Sequence, residues 1–92
     1  LQNSIGSSVE TLYKLMDGKV EALEFKVSDG LPLLGIPLKE LKPKMKPGIL
    51  IAGIIRDRKT IIPAGDDKIL SGDRVIVIAA GRMLGSLSDI LN

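Results

Sequence analysis

The segment GILIAGIIRDRKTIIPAGD, residues 48–66, reads as a strand, a charged turn and a returning strand. Seven consecutive aliphatic or small residues run from Ile49 to Ile55, Asp57 and Arg58 reverse the chain, and Lys59 to Ile62 comes back alongside. A run of that kind presents apolar side chains on both faces of a strand, so it requires cover on both sides. Val75 to Ala80 makes the same demand. Two such strands in 92 residues predict self-association before they predict any chemistry.

Working outward, the residues before this segment supply a hairpin and a short helix. Two alternating stretches between Val9 and Val27 flank Asp17-Gly18, a dipeptide suited to the positive backbone angles of a tight turn. On the second arm Leu23, Phe25 and Val27 share one face and Glu24 and Lys26 the other, the pattern of a strand with one wet side. Asp29-Gly30 and Pro32 break it. Pro37-Leu-Lys-Glu-Leu41 then carries helical spacing behind a proline suited to a first turn, and Pro43 and Pro47-Gly48 end the helix.

Beyond residue 66, Gly65-Asp66 and Gly72-Asp73 read as paired turns, with Asp66 and Asp73 bonding turn backbone and Ile69 and Leu70 reaching the core. Arg74 to Ala80 is the last strand. From Arg82 onward Met83, Leu84, Leu87, Ile90 and Leu91 recur at spacings of three and four, which predicts a closing amphipathic helix. The fold class expected is therefore α+β: a small, mostly antiparallel or mixed sheet with an N-terminal hairpin, one short helix after the second strand and a C-terminal helix, in a domain that dimerises. Residues 1–8 suit the end of a linker and 9–92 form the domain. The chain opens at Leu1 with no signal pattern, so it is expected to be a piece of a longer protein, with the hairpin arm 9–18 nearest the missing part.

Composition narrows the function. There is no cysteine and no histidine, which removes disulfides, thiol chemistry, the commonest general base and the commonest transition-metal ligand. Ser71 and Ser86 have no histidine to activate them, and Glu10, Glu21 and Glu24 alternate along strands among lysines as ordinary exposed charges. Asp66, Asp67 and Asp73 lack a calcium-loop spacing. Metal ligands and catalytic residues are therefore expected to be absent. A net charge of +2 is too slight to imply a nucleic acid, and no aromatic residue lies among Lys39, Lys42, Lys44 and Lys46 to stack on bases. The glycines at 48, 53, 65, 72, 81 and 85 lack the clustered spacing of a dinucleotide-binding turn.

Five stretches in this order carry a family resemblance: Val20-Glu-Ala-Leu-Glu-Phe25, Gly35-Ile-Pro-Leu-Lys-Glu-Leu41, Gly48-Ile-Leu-Ile-Ala52, Ile61-Ile-Pro-Ala-Gly-Asp66 and Gly72-Asp-Arg-Val-Ile-Val77. From about Val9 the chain resembles the C-terminal regulatory domain of TrkA-type potassium-uptake proteins, the RCK C-terminal domain. The resemblance implies a non-enzymatic cytosolic module that pairs with a copy of itself. It further implies a preceding nucleotide-binding domain, where NAD or ATP would be held, and a ring docked on the inner face of a membrane-embedded potassium transporter. The same domain type resembles appendages of cation antiporters and dicarboxylate carriers.

Some members of the family bind cyclic di-AMP in the cleft between two copies, which makes a cyclic-dinucleotide or small-metabolite sensor the alternative function. Carried across position by position, the contacts fall at Ile36, Pro37, Lys42, Gly48 or Ile49, and Pro63. Lys42 stands where those relatives carry arginine, and Gly48 or Ile49 where they carry asparagine, so a planar fork and a side-chain amide are replaced. For core and interface the residues expected are Ile49, Ile51, Ile54 and Ile55 on the long strand, with Leu84, Leu87 and Ile90 beside it.

Overall fold

A computed structural model describes residues 7–92. Five strands form one antiparallel sheet: β1 (Ser7–Leu15), β2 (Val20–Val27), β3 (Ile49–Arg56), β4 (Lys59–Ile61) and β5 (Arg74–Ala80), in the spatial order β1-β2-β5-β3-β4. A four-residue helix, α1 (Leu38–Leu41), runs directly into a 3-10 turn at Lys42–Lys44. The linker expected over residues 1–8 lies, for residues 1–6, outside the described residues, and Ser7 and Ser8 already belong to β1.

Local chemistry sets these elements. Met16, Asp17 and Gly18 take positive φ in the β1–β2 turn, and Asp57 and Arg58 do so in the two-residue β3–β4 turn, the handedness that matches the twist of a hairpin. Pro37 precedes α1 in an extended conformation, φ −55 and ψ 140, so it caps the helix and does not occupy its first turn. Gly48 has φ +83, and a Cβ there would lie 2.6 Å from the Ala80 carbonyl oxygen. Only glycine lets β3 enter the sheet this close to β5.

Strand pairing assigns each side chain to a face. Leu23 opposite Val77, Phe25 opposite Val75, and Ile54 opposite Val75 and Ile61 point to one side. There Leu31, Leu33, Leu41, Ile69, Leu84, Leu87 and Ile90 cover them to make the core. Ile49 and Ile51 point to the same side and are half-buried at its margin. The other side carries Tyr13, Ala22, Leu50, Ile76 and Ile78, and among the described residues no segment lies across it. Tyr13 is 64% and Leu50 60% exposed. Ile55 shares this open side, opposite Arg74. Arg74 also reaches Glu10 (3.5 Å) and Glu24 (3.3 Å), an ion-pair cluster at one end of the sheet.

Further sequence expectations are corrected, among them Glu21, which is buried and not an exposed charge. No closing helix forms: after Arg82 the chain makes only a 3-10 turn, Leu87–Ile90. Ser86 is extended, φ −148 and ψ 166, and forms a capping box with Asp89, so a new turn is started at 87 in place of a helix continuing from 82. Leu84, Leu87 and Ile90 are buried all the same, because the segment is draped over the end of the core. Leu70 is exposed, and only Ile69 of that pair enters the core. The turn acceptor near Gly65 is Asp67, whose carboxylate takes the Ala64 N–H at 2.7 Å, whereas Asp66 pairs with Lys39 in solvent.

The last residues are tied back. Leu91 forms a bridge with Met45, the Asn92 N–H donates to the Lys44 carbonyl (2.9 Å) and the Lys46 N–H donates to the Ile90 carbonyl (2.7 Å).

Candidate functional site

The site is a consequence of unequal strand lengths. β4 pairs only with Ile54, Ile55 and Arg56, so among the described residues the outer edge of β3 from Ile49 to Ile51 has no strand beside it. After Ile61 the chain leaves the sheet toward α1. The Leu38 N–H donates to the Asp67 carbonyl and the Lys39 N–H to the Gly65 carbonyl, both at 2.9 Å. Between the free edge and this loop lies a cavity of about 340 Å³. One wall is Ile49, Leu50 and Ile51, the other Pro63, Ala64 and Gly65, with Leu38, Lys39, Lys42 and Met45 between them.

Close packing brings the second wall to the helix. A Cβ on Gly65 would lie 3.1 Å from the Lys39 Cβ, so a side chain there would push the loop away. The loop is held from behind by a buried ion pair. Asp73 accepts from Arg56 Nε at 2.9 Å and Nη2 at 2.8 Å and from the Leu70 N–H at 2.9 Å, while Arg56 Nη2 also donates to the Lys68 carbonyl at 2.8 Å. The hydrogen bond that Arg56 donates to Asp73 raises the Arg56 pKa further above its already high ordinary value, with desolvation opposing it. Arg56 thus fastens the segment after β4 onto β3 in a fixed charge state.

Electrostatically the cavity is apolar with a basic rim. Lys39 is engaged with Asp66 at 2.8 Å, and both side chains are well exposed, so the pair is weak and salt-sensitive. Lys42 makes no ion pair among the described residues and is the free cation at the rim. Such a lining suits a ligand with an apolar or planar body and one acidic group. Among the described residues no three His, Cys, Asp or Glu side chains come together as a metal site, and no helix is long and apolar enough to cross a membrane.

Of the ligand positions carried over from the resemblance, Lys42, Ile49 and Pro63 line this one cavity. Ile36, Pro37 and Gly48 do not. Pro37 is engaged in a bridge to Lys68, Ile36 packs against the core, and Gly48 abuts Ala80. Of the expected core and interface residues, Ile54, Leu84, Leu87 and Ile90 are buried, and Ile49, Ile51 and Ile55 are half-buried. The cavity also includes Leu38, Lys39 and Met45. A signal for the first two existed in the sequence, since 38, 39 and 42 fall within one helical turn.

The sequence profile of the TrkA-C domain matches residues 22–92. The chain belongs to the TrkA-C domain family. Its relatives include two proteins of Methanosarcina mazei. One, named Trk system potassium uptake protein TrkA homolog 1, is 34% identical over 80 residues, covering 86% of this chain and 17% of the relative. TrkA homolog 2 is 31% identical over 91 residues, 98% of this chain and 20% of the relative. The Trk system potassium uptake protein TrkA of Azorhizobium caulinodans is 28% identical over 79 residues, 86% of this chain and 17% of the relative. The chain therefore spans at most about a fifth of the length of these curated relatives. The matched region holds the whole cavity, while all of β1 lies ahead of it.

Proposed function

We propose that this TrkA-C domain is a non-enzymatic regulatory module of a Trk-type potassium-uptake protein. In this reading it acts in the cytoplasm at the inner face of the membrane, pairs with a copy of itself within a larger ring, and biases a membrane-embedded transporter subunit between two geometries. NAD or ATP would belong to a separate nucleotide-binding domain. Support comes from the family match and from the names of the relatives. A cation antiporter or a dicarboxylate carrier is the alternative host.

The cavity favours a second, compatible reading as a sensor. The convergence of Lys42, Ile49 and Pro63 on one apolar cavity with a cationic rim is the observation that carries it. At about 340 Å³ the cavity is at the small end of ligand sites. Two copies would each take one half of a symmetrical anionic ligand such as cyclic di-AMP. The test is thermal unfolding of the 92-residue chain with added cyclic di-AMP. At a hundredfold excess over the dissociation constant, linkage gives roughly 2.7 kcal/mol, or an upward shift of roughly 10 °C or more in a domain of this size. Lys42→Ala should leave the ligand-free midpoint in place and weaken binding about tenfold. No shift at millimolar cyclic di-AMP refutes the sensor and leaves a purely structural regulatory pair.

A further inference from the structure

We propose that the end of the sheet away from the Arg74 cluster is a lipid-contact surface, where Met16 and Met83 enter the headgroup layer of an anionic bilayer while Lys19, Lys46 and Arg82 meet its phosphates. The contact is direct and goes beyond the reading above, in which a transporter subunit is what the domain meets at the membrane. Three loops converge at this end, because Val20 pairs with Ala80 and Ile49 with Ala79. The Gly81 N–H donates to the Lys19 carbonyl (2.9 Å), which ties the exit of β5 to the β1–β2 turn. Arg82 Nε donates to the Pro47 carbonyl (2.8 Å), which ties the same exit to the entry of β3. Met16 and Met83 stand on these loops 72% and 83% exposed, two of the three most exposed large hydrophobic side chains among the described residues.

Neither methionine serves the fold. Met16 takes φ +51, a conformation that Gly, Asn or Asp adopts more readily, and no burial offsets the strain. A local conflict of this kind marks a residue kept for contact with something else, and the flexible thioether side chain adapts to an irregular partner such as acyl chains. The charges around the methionines are one-sided. Lys19, Lys46 and Arg82 make no ion pair among the described residues. Of the acids near them Asp17 is exposed, but Glu21 is buried and the Asp89 carboxylate accepts from the Gly85 and Ser86 N–H groups. At the other end Arg56 and Arg74 are matched by Asp73, Glu10 and Glu24, so the small net charge of +2 is concentrated where the methionines are. Shape selects lipid over an acidic protein segment. An extended peptide is gripped by a groove or a strand edge, whereas this end is made of loop tips, and none of the five residues lines the cavity. Apolar tips set between cations match the layers of an anionic bilayer, phosphate outside and hydrocarbon within.

The chain has no tryptophan, so a single introduced one reports its own surroundings. With vesicles of phosphatidylglycerol and phosphatidylcholine in equal amounts, at low salt, the emission of Met83→Trp should shift to the blue and be quenched by lipids brominated in the acyl chain. Lys59→Trp, in the β3–β4 hairpin at the other end, should do neither. The unmodified chain should co-sediment with these vesicles but not with phosphatidylcholine alone, and about 0.5 M KCl should release it. One basic side chain near an anionic surface contributes about fivefold to partitioning, so Lys19→Glu, a change of two charges, should weaken binding roughly 25-fold. Lys46→Gln, with a loss of about fivefold, is the second variant should Lys19→Glu fail to fold. Met16→Asn, which suits the positive φ, should weaken binding severalfold without lowering the thermal midpoint. No co-sedimentation at millimolar lipid overturns the proposal. So does salt-sensitive co-sedimentation in which the Met83→Trp emission stays that of water, because that is adsorption without entry. Retention on polyglutamate with no response to vesicles overturns it in favour of an acidic polypeptide. Each of these failures leaves the regulatory reading and the cavity standing, since neither uses this end of the sheet.

Discussion

Replacing Asp73 with alanine should cost about 3 kcal/mol. Asp73 is 1% exposed and is the acceptor for three donors: Arg56 Nε, Arg56 Nη2 and the Leu70 N–H. Losing one partner of a buried ion pair typically costs ~3–5 kcal/mol. The Arg56 side chain is 32% exposed, so water can recover part of the guanidinium's solvation, which brings the ionic share down to roughly 1.5–2 kcal/mol. The Leu70 N–H, left without its carboxylate, adds about 1–1.5 kcal/mol. The assay is urea unfolding followed by far-ultraviolet circular dichroism at one fixed protein concentration, because association shifts apparent stability. A loss of this size lowers the thermal midpoint by roughly 12–24 °C. Arg56→Met should be at least as damaging, since it leaves a carboxylate buried with a single donor. In the double variant the two losses should fall short of their sum by at least ~1.5 kcal/mol. A loss below about 1 kcal/mol for Asp73→Ala, or strict additivity, would show that this pair does not fasten the cavity loop to β3.

Gly48→Ala should destabilise by roughly 2 kcal/mol or more, combining positive φ with a backbone clash at the Ala80 carbonyl. Gly18→Ala, with the same φ of +83 and open space around it, should lose only ~1 kcal/mol in the same thermal melt, and equal losses would mean that β3 can shift away from β5. Asp89→Ala removes the acceptor for the Gly85 N–H (2.8 Å) and the Ser86 N–H (2.9 Å), and should cost about 1 kcal/mol in urea while leaving ligand affinity unchanged.

Where period and turn chemistry act locally, the fold was legible. The Asp17-Gly18 and Asp57-Arg58 reversals, the alternation of Leu23, Phe25 and Val27 and the helix beginning after Pro37 all follow from the residues themselves. The closing segment was not legible, because the spacing of Leu84, Leu87 and Ile90 states only that those residues are buried. A helix and a chain folded over the edge of a core can bury the same three positions. What separated them was Ser86 with Asp89, a start signal placed inside the apolar pattern. Asp66 and Asp67 are adjacent and chemically alike, and which of them closes the turn depends on the direction of approach to Ala64. The cavity was half legible. Lys42, Ile49 and Pro63 could be carried over from a resemblance, but its other walls come from the shortness of β4, which depends on how far the returning strand stays paired. The demand for cover on both faces of Ile49 to Ile55 follows from the unbroken apolar run, and among the described residues the open side leaves Leu50 60% exposed.

Met45 stands in the cavity wall and is clasped from the opposite side by Leu91, with Asn92 fastened to Lys44 next to it. Leu91 and Asn92 thus brace from outside a cavity wall that neither of them lines. Substituting Leu91 or Asn92 would shift the Met45 wall without changing any residue that lines the cavity.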